Sequence, residues 1–101
     1  MRLDLQRRLN IPNCLLKDVG ILPGDEVRLK IHDRYIELFN AKDKSIKGKE
    51  YHDVLKFDLK GRIVISKRLE EYYNPEGNDC DYRVAAKDGK IIIRWRKERK
   101  G

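Results

Sequence analysis

The chain has 101 residues, 41% of them charged, and a net charge of +7. That length fits one compact domain. No run approaches the roughly 18 apolar residues of a membrane-spanning helix, and the charged start Met1-Arg2-Leu3-Asp4 reads as strand, not as a signal peptide. The charge is uneven: residues 1–40 carry a net +1, residues 41–53 another +1, and residues 54–101 the remaining +5. Arg94, Arg96, Lys97, Arg99 and Lys100 against Glu98 supply much of that excess, which reads as a basic tail. Net charge by itself therefore argues only modestly for a nucleic-acid partner. Cys14 and Cys80 lack metal-type spacing, so two free thiols in a reducing cytoplasm are expected.

In chain order, residues 2–5 alternate polar and apolar and predict a short strand. Leu9-Asn10-Ile11 alternates again. Pro12 and Asn13 suit a helix start, with Asn13 the candidate N-cap, and Cys14, Leu15, Leu16 and Val19 form a short apolar face. Cys14 is thereby expected in the core. Gly20 fits the helix stop, and Pro23-Gly24 marks a turn. Val27, Leu29 and Ile31 predict a half-buried strand, His32-Asp33-Arg34 a hairpin connection with His32 exposed, and residues 35–39 the return strand. Residues 41–53 form a charged linker. Val54, Leu55 and Phe57 predict a strand leading to Asp58, and Ile63-Val64-Ile65 the next one. Ser66 is an N-cap candidate for a helix over residues 67–73. Residues 74–79 are turn-rich. Cys80, Tyr82 and Val84 alternate in a strand, Asp88-Gly89 signals a tight hairpin, and Ile91, Ile93 and Trp95 alternate in the last strand.

The order strand, loop, strand, short helix, hairpin thus occurs twice. Asp4-Leu5-Gln6-Arg7-Arg8-Leu9-Asn10-Ile11-Pro12 and Asp58-Leu59-Lys60-Gly61-Arg62-Ile63-Val64-Ile65-Ser66 repeat Asp, Leu and Arg at an offset of 54, with apolar residues at 9/63 and 11/65. Two copies are too few for a solenoid and suggest a pseudo-symmetric pair sharing one core. Each half, at about 45 residues, is marginal as a lone core, so the halves need each other or a second chain. The organisation expected is a single domain over 1–101: repeat one 1–40, linker 41–53, repeat two 54–97, basic tail 98–101.

These motifs, with the turn Ile21-Leu22-Pro23-Gly24-Asp25-Glu26-Val27, resemble the AbrB/SpoVT/MazE swapped-hairpin family, and two copies in one polypeptide resemble the MraZ arrangement. The resemblance covers nearly the whole chain apart from the linker. It implies a mostly β fold with short helices, a pseudo-two-fold swapped-hairpin β-barrel. It also implies a bacterial or archaeal DNA-binding transcriptional regulator whose basic residues around the two Asp-x-x-x-Arg loops meet DNA. The chain departs from the family pattern at Arg7 (usually Gly) and Ser66 (usually Pro). It departs again at Leu16, Lys17, Glu70 and Glu71, where AbrB-type binders carry helix arginines.

Arg8 and Arg62 are the leading site candidates, since a guanidinium meets phosphates or guanine edges bidentately. The plainer reading is an internal ion pair of each with Asp4 or Asp58, closing its own loop. Arg2, Arg7, Lys17, Lys56, Lys60, Lys67 and Arg68 cluster in sequence around the same loops and would position a phosphate backbone. Solvated surface is their alternative. His32 and His52 have no ligand-spaced partner, so no metal site is expected. Nor does any nucleophile stand with a base, so no enzyme activity and no cofactor are expected. Tyr72, Tyr73, Tyr82 and Trp95 could stack on bases but better complete the core or a subunit contact. The function expected is duplex-DNA binding in the cytoplasm, associated with the nucleoid, with no membrane partner and homo-oligomerisation open. An antitoxin-like or other protein-interaction module is the alternative. A toxin partner fits less well, because MazE-like antitoxins append an acidic tail. RNA binding also stays open, since basic charge does not separate the two nucleic acids.

Overall fold

The computed structural model describes residues 3, 6–40, 42, 52–77 and 80–97. The expected strand over 2–5, apart from Leu3, lies outside these residues. So do Arg2, Asp4, most of the linker and the 98–101 tail. The described fold is mostly β with two short helices. In order, the elements are β1 (Arg8–Asn10), α1 (Asn13–Asp18), β2 (Glu26–Ile31), β3 (Tyr35–Asn40), β4 (Asp53–Lys56), β5 (Arg62–Val64), α2 (Lys67–Tyr73), β6 (Cys80–Lys87) and β7 (Lys90–Lys97).

The sequence repeat is a structural repeat. β1 and β5 start 54 residues apart, as do α1 and α2, and β2 and β6. The copies are not side by side but interleaved. A five-stranded antiparallel sheet runs β4-β2-β3-β7-β6, so the hairpin of repeat one lies between the leading strand and the hairpin of repeat two. A separate two-stranded ribbon pairs β1 with β5. The two sheets do not close into the expected barrel. The repeats do pair within a single chain, which solves the problem of two halves each too small to bury a core alone.

One core serves both copies. Leu9, Ile11, Ile63 and Ile65 from around the ribbon meet Val27, Leu29, Ile36, Leu38, Ile91 and Ile93 from one face of the large sheet. Alternation sends those side chains to one face of the sheet; on β3 the intervening Glu37 and Phe39, on the other face, are buried as well. The inner face is aliphatic because strands this short gain most from β-branched and leucine side chains packed against a second layer.

The helix ends follow local chemistry, with one departure. Ser66 caps α2, its hydroxyl accepting the Leu69 backbone N–H at 3.2 Å. Asn13 does not cap α1: Pro12 occupies the cap position, no side chain bonds there, and Asn13 is the first helical residue. Proline presets the φ needed at a helix entrance and displaces the cap by one residue. Gly20, at φ 70, ends α1 in a paired stop: its N–H donates to the Lys17 carbonyl, and that of Ile21 to the Leu16 carbonyl. Asp88 and Gly89, both at positive φ, make the tight turn between β6 and β7 whose twist matches the flanking strands. Cys14 is exposed, not in the core, because Leu16 takes the buried position on so short a helix. Neither cysteine is in a disulfide. His32 is half-buried, not exposed, its ring stacked on Tyr35 at 4.4 Å. Arg94, Arg96 and Lys97 belong to β7 and not to a tail.

Candidate nucleic-acid interface

The ribbon is where the two Asp-x-x-x-Arg motifs meet. Arg8 pairs with Val64, Leu9 with Ile63 and Asn10 with Arg62. Leu9 and Ile63 are equivalent positions of the two copies and lie opposite each other, so the pseudo-two-fold axis passes between them. Two backbone bonds repeat about that axis: the Ile11 N–H donates to the Gly61 carbonyl at 3.2 Å, and the Ile65 N–H to the Arg7 carbonyl at 2.9 Å. Leu9 and Ile63 point into the core, so Arg8, Asn10, Arg62 and Val64 share the other face. Arg8 and Arg62 are diagonal neighbours there, and strand geometry sets such pairs about 7–8 Å apart.

The second loop is a closed turn. The Asp58 carboxylate accepts the backbone N–H groups of Lys60 and Arg62, both at 2.9 Å, and the Arg62 Nε at 2.7 Å. The Arg62 backbone N–H above all, helped by its guanidinium, holds the Asp58 carboxyl below the usual carboxylate range. This is the internal pairing expected of Asp58, and it leaves the guanidinium oriented, not free-swinging. Asp4, the corresponding partner expected for Arg8, lies outside the described residues.

Gly61 needs its lack of a side chain. Its φ is 76, and a Cβ there would lie 3.3 Å from Leu16 Cδ1. Arg7, at the equivalent position of the first copy, adopts φ 63 and so carries the left-handed conformation at a cost that glycine avoids. Its Nε donates to the Ile65 carbonyl at 3.4 Å, pinning the side chain against the opposite strand. The departure from glycine therefore leaves the loop geometry intact and adds a cation beside the ribbon.

The remaining candidates divide. Lys60 sits exposed at the tip of the Asp58 turn. Asn13, beside Gly61, brings the start of α1 to this loop, and Lys17 follows one turn later, exposed. Lys67, exposed, holds in α2 the position that Asn13 holds in α1. Arg68 and Lys56 lie by the edge of the large sheet. Arg68 lines a cleft of about 760 Å3 between α2 and the edge formed by β2 and β4, with His52 and Tyr72. Lys56 lies on β4 opposite Glu26. Arg2 lies outside the described residues.

A second constellation was hidden from the sequence. Glu70, on α2, accepts hydrogen bonds from the Tyr82 hydroxyl and, at 3.0 Å, from the Trp95 indole N–H. Tyr73 stacks on Trp95 at 4.3 Å, and its hydroxyl donates to the turn carbonyls of His32 and Tyr35, the latter at 2.8 Å. Burial pushes the Tyr73 hydroxyl up from 10.0 to about 12, and burial with the nearby Glu70 carboxylate raises that of Tyr82. Tyr82 and Trp95 fasten α2 to the β6–β7 hairpin, and Tyr73 ties it to the β2–β3 hairpin of repeat one, as the sequence expectation of a core role has it. Only Tyr72 stands exposed. His52 is likewise structural: its Nδ1 accepts the Ile31 N–H at 2.9 Å and its own N–H donates to the Leu29 carbonyl, extending β4 by one residue into the linker.

Among the described residues no group of three or more His, Cys, Asp or Glu side chains could hold a metal ion, and no helix is long and apolar enough to cross a membrane. No protein-family model, no curated protein and no solved structure matches the chain.

Proposed function

We propose that this chain is a DNA-binding transcriptional regulator of the AbrB/SpoVT/MraZ kind, a pseudo-two-fold swapped-hairpin fold supplied by one polypeptide, acting in the cytoplasm on the nucleoid. The observation that carries this reading is the register of the ribbon, which sets Arg8 and Arg62 on one outward face about an internal two-fold axis. A duplex has the same symmetry locally, and a two-stranded β-ribbon fits its major groove. Arg7, Lys60, Lys17 and Lys67 flank the ribbon as phosphate contacts. The mechanism is non-catalytic.

The test is fluorescence-anisotropy titration of a random-sequence duplex across a salt series, with wild type beside Arg8→Ala/Arg62→Ala. The expected result is binding that weakens steeply with salt, and a slope of log affinity against log salt shallower by about 2 in the double variant. Binding absent at low salt, or indifferent to both arginines, overturns the reading.

One feature favours the alternative, an antitoxin-like or other protein-interaction module. Leu59 is 84% exposed and Leu22 64% exposed, on loops so close that a Cβ on Gly24 would lie 3.4 Å from Leu59 Cδ2. Paired exposed leucines suit a protein contact better than a phosphate. Under the DNA reading, Leu22→Ser/Leu59→Ser leaves the anisotropy titration unchanged.

A further inference from the structure

The core lies between the ribbon and the large sheet, so the sheet's outer face points away from the ribbon. That outer face carries an arrangement that folding alone does not favour. On the β6–β7 hairpin, Arg83 stands directly opposite Arg94, and Lys87 directly opposite Lys90. Like charges at directly opposed positions destabilise an antiparallel pair. Both pairs lie on the same face, separated by Ala85 and Ile92. Arg83, Lys87 and Arg94 are exposed, as is Arg96 beyond them. Lys87, Lys90 and Arg94 also line a hollow of about 190 Å3 with Tyr35 and the carboxylates Glu37 and Asp88. Some charge is offset locally: Asp81 lies 3.4 Å from Arg83, and Glu37 lies 3.7 Å from Lys90. With the Arg83 side chain 60% exposed, solvent screens the first pair and leaves the guanidinium accessible to a stronger anion.

We infer that the outer face of the β6–β7 hairpin is a second contact for the phosphate backbone of duplex DNA, so that one molecule holds two duplexes on opposite sides. The bridging rests on the ribbon reading; the second face does not. Two aspects point to duplex backbone. The opposed pairs are four residues apart along β6, about 13 Å at ordinary strand rise, close to the ~12 Å width of the major groove that separates phosphates of the two strands. Among the described residues the face also has no open aromatic platform of the kind on which single strands stack their bases. Phe39 is buried, and the Tyr35 ring is taken up by His32 and by Arg94, whose guanidinium carbon lies 5.5 Å from the ring centroid.

The experiment is capture of a labelled free duplex by a bead-bound duplex through the full chain, alongside anisotropy with duplex and single-stranded oligonucleotides. The proteins are wild type, the sheet variant Arg83→Gln/Lys87→Gln/Arg94→Gln, a milder Arg83→Gln/Lys87→Gln, and Arg8→Ala/Arg62→Ala, each checked for fold by circular dichroism. Wild type is expected to capture the second duplex. The sheet variants lose at least tenfold of that capture while still binding one duplex, and the triple variant's salt slope is shallower by about 3. Capture by the sheet variants equal to wild type overturns the inference, as does single-duplex binding by wild type without capture. Tighter binding of the single strand than of the duplex by the ribbon variant overturns the duplex assignment. Loss of binding in the sheet variant with full binding in Arg8→Ala/Arg62→Ala sinks the ribbon reading and leaves the sheet face standing. Absence of any duplex binding by wild type at low salt removes both.

Discussion

The two repeats share a backbone plan but hold their helices differently. α1 is fixed by aliphatic contacts, with Leu16 buried and Val19 half-buried. At the equivalent positions α2 carries Glu70 and Tyr73, and where β2 has Arg28, β6 has Tyr82. The second helix therefore adds directional hydrogen bonds and stacked rings to its buried Leu69, where the first relies on aliphatic packing. The lesson is that internal symmetry needs only a few positions to agree. The apolar residues at 9/63 and 11/65 and the left-handed residues at 7/61 hold the axis. Away from it, each copy is free to solve its own packing.

The sharpest way to test the symmetry is at the axis. Leu9→Ala and Ile63→Ala are each expected to cost about 2–5 kcal/mol, as for other fully buried aliphatic truncations. Urea unfolding of the two variants should give similar losses, and a cost under about 1 kcal/mol for either would show that the copies do not share the core equally. The next effect belongs to repeat two alone. Glu70→Ala strands the Tyr82 hydroxyl and the Trp95 indole N–H, at about 1–3 kcal/mol, and near-ultraviolet circular dichroism should report the loosened Trp95. No comparable loss is expected at Leu16→Met, which keeps the aliphatic packing of α1.

A smaller effect appears at high pH. Below pH 10 Tyr73 keeps its proton in the folded and unfolded chains alike. Between 10 and about 12 the unfolded chain releases it while the folded chain retains it, so stability falls as pH rises through that window. Tyr82 acts in the same direction. Tyr73→Phe is expected to cost about 1 kcal/mol at neutral pH and to flatten part of the alkaline loss, read as melting temperature against pH. The smallest effect is expected at Arg7→Gly. Removing the left-handed side chain recovers about 1 kcal/mol, partly offset by loss of the long bond to the Ile65 carbonyl, so the variant should melt slightly higher. A drop in melting temperature would mean that the Arg7 side chain matters more to repeat one than its backbone strain.

Much of the fold was legible beforehand for a local reason. Turn residues, alternation and caps act over a few positions, so the second helix and both hairpins emerge close to their observed bounds. The Asp58 turn was legible too, because its partners lie within four residues. Glu70 was not. As a charged residue on a short helix it reads as solvated, and its partners lie 12 and 25 residues away. They meet it only because β6 and β7 pair Tyr82 with Trp95. The opposed arginines of the sheet were hidden similarly: Arg83 and Arg94 look like ordinary outward strand positions until the register sets them face to face. For Arg68 and Lys56, closeness in sequence to the loops suggested one basic cluster, while their neighbours, the α2 cleft and Glu26 on β2, became visible only with the register and packing.

Residue order alone determined the repeat, its 54-residue offset, the strand and helix periodicities and the tight turns, since each depends on neighbours within one element. Only the tertiary structure decided that the copies interleave within one chain, that the two sheets stay unclosed, and which cations share a face. Those outcomes depend on strand register and on which apolar faces find each other across the core, and both are set by packing between elements far apart in the chain.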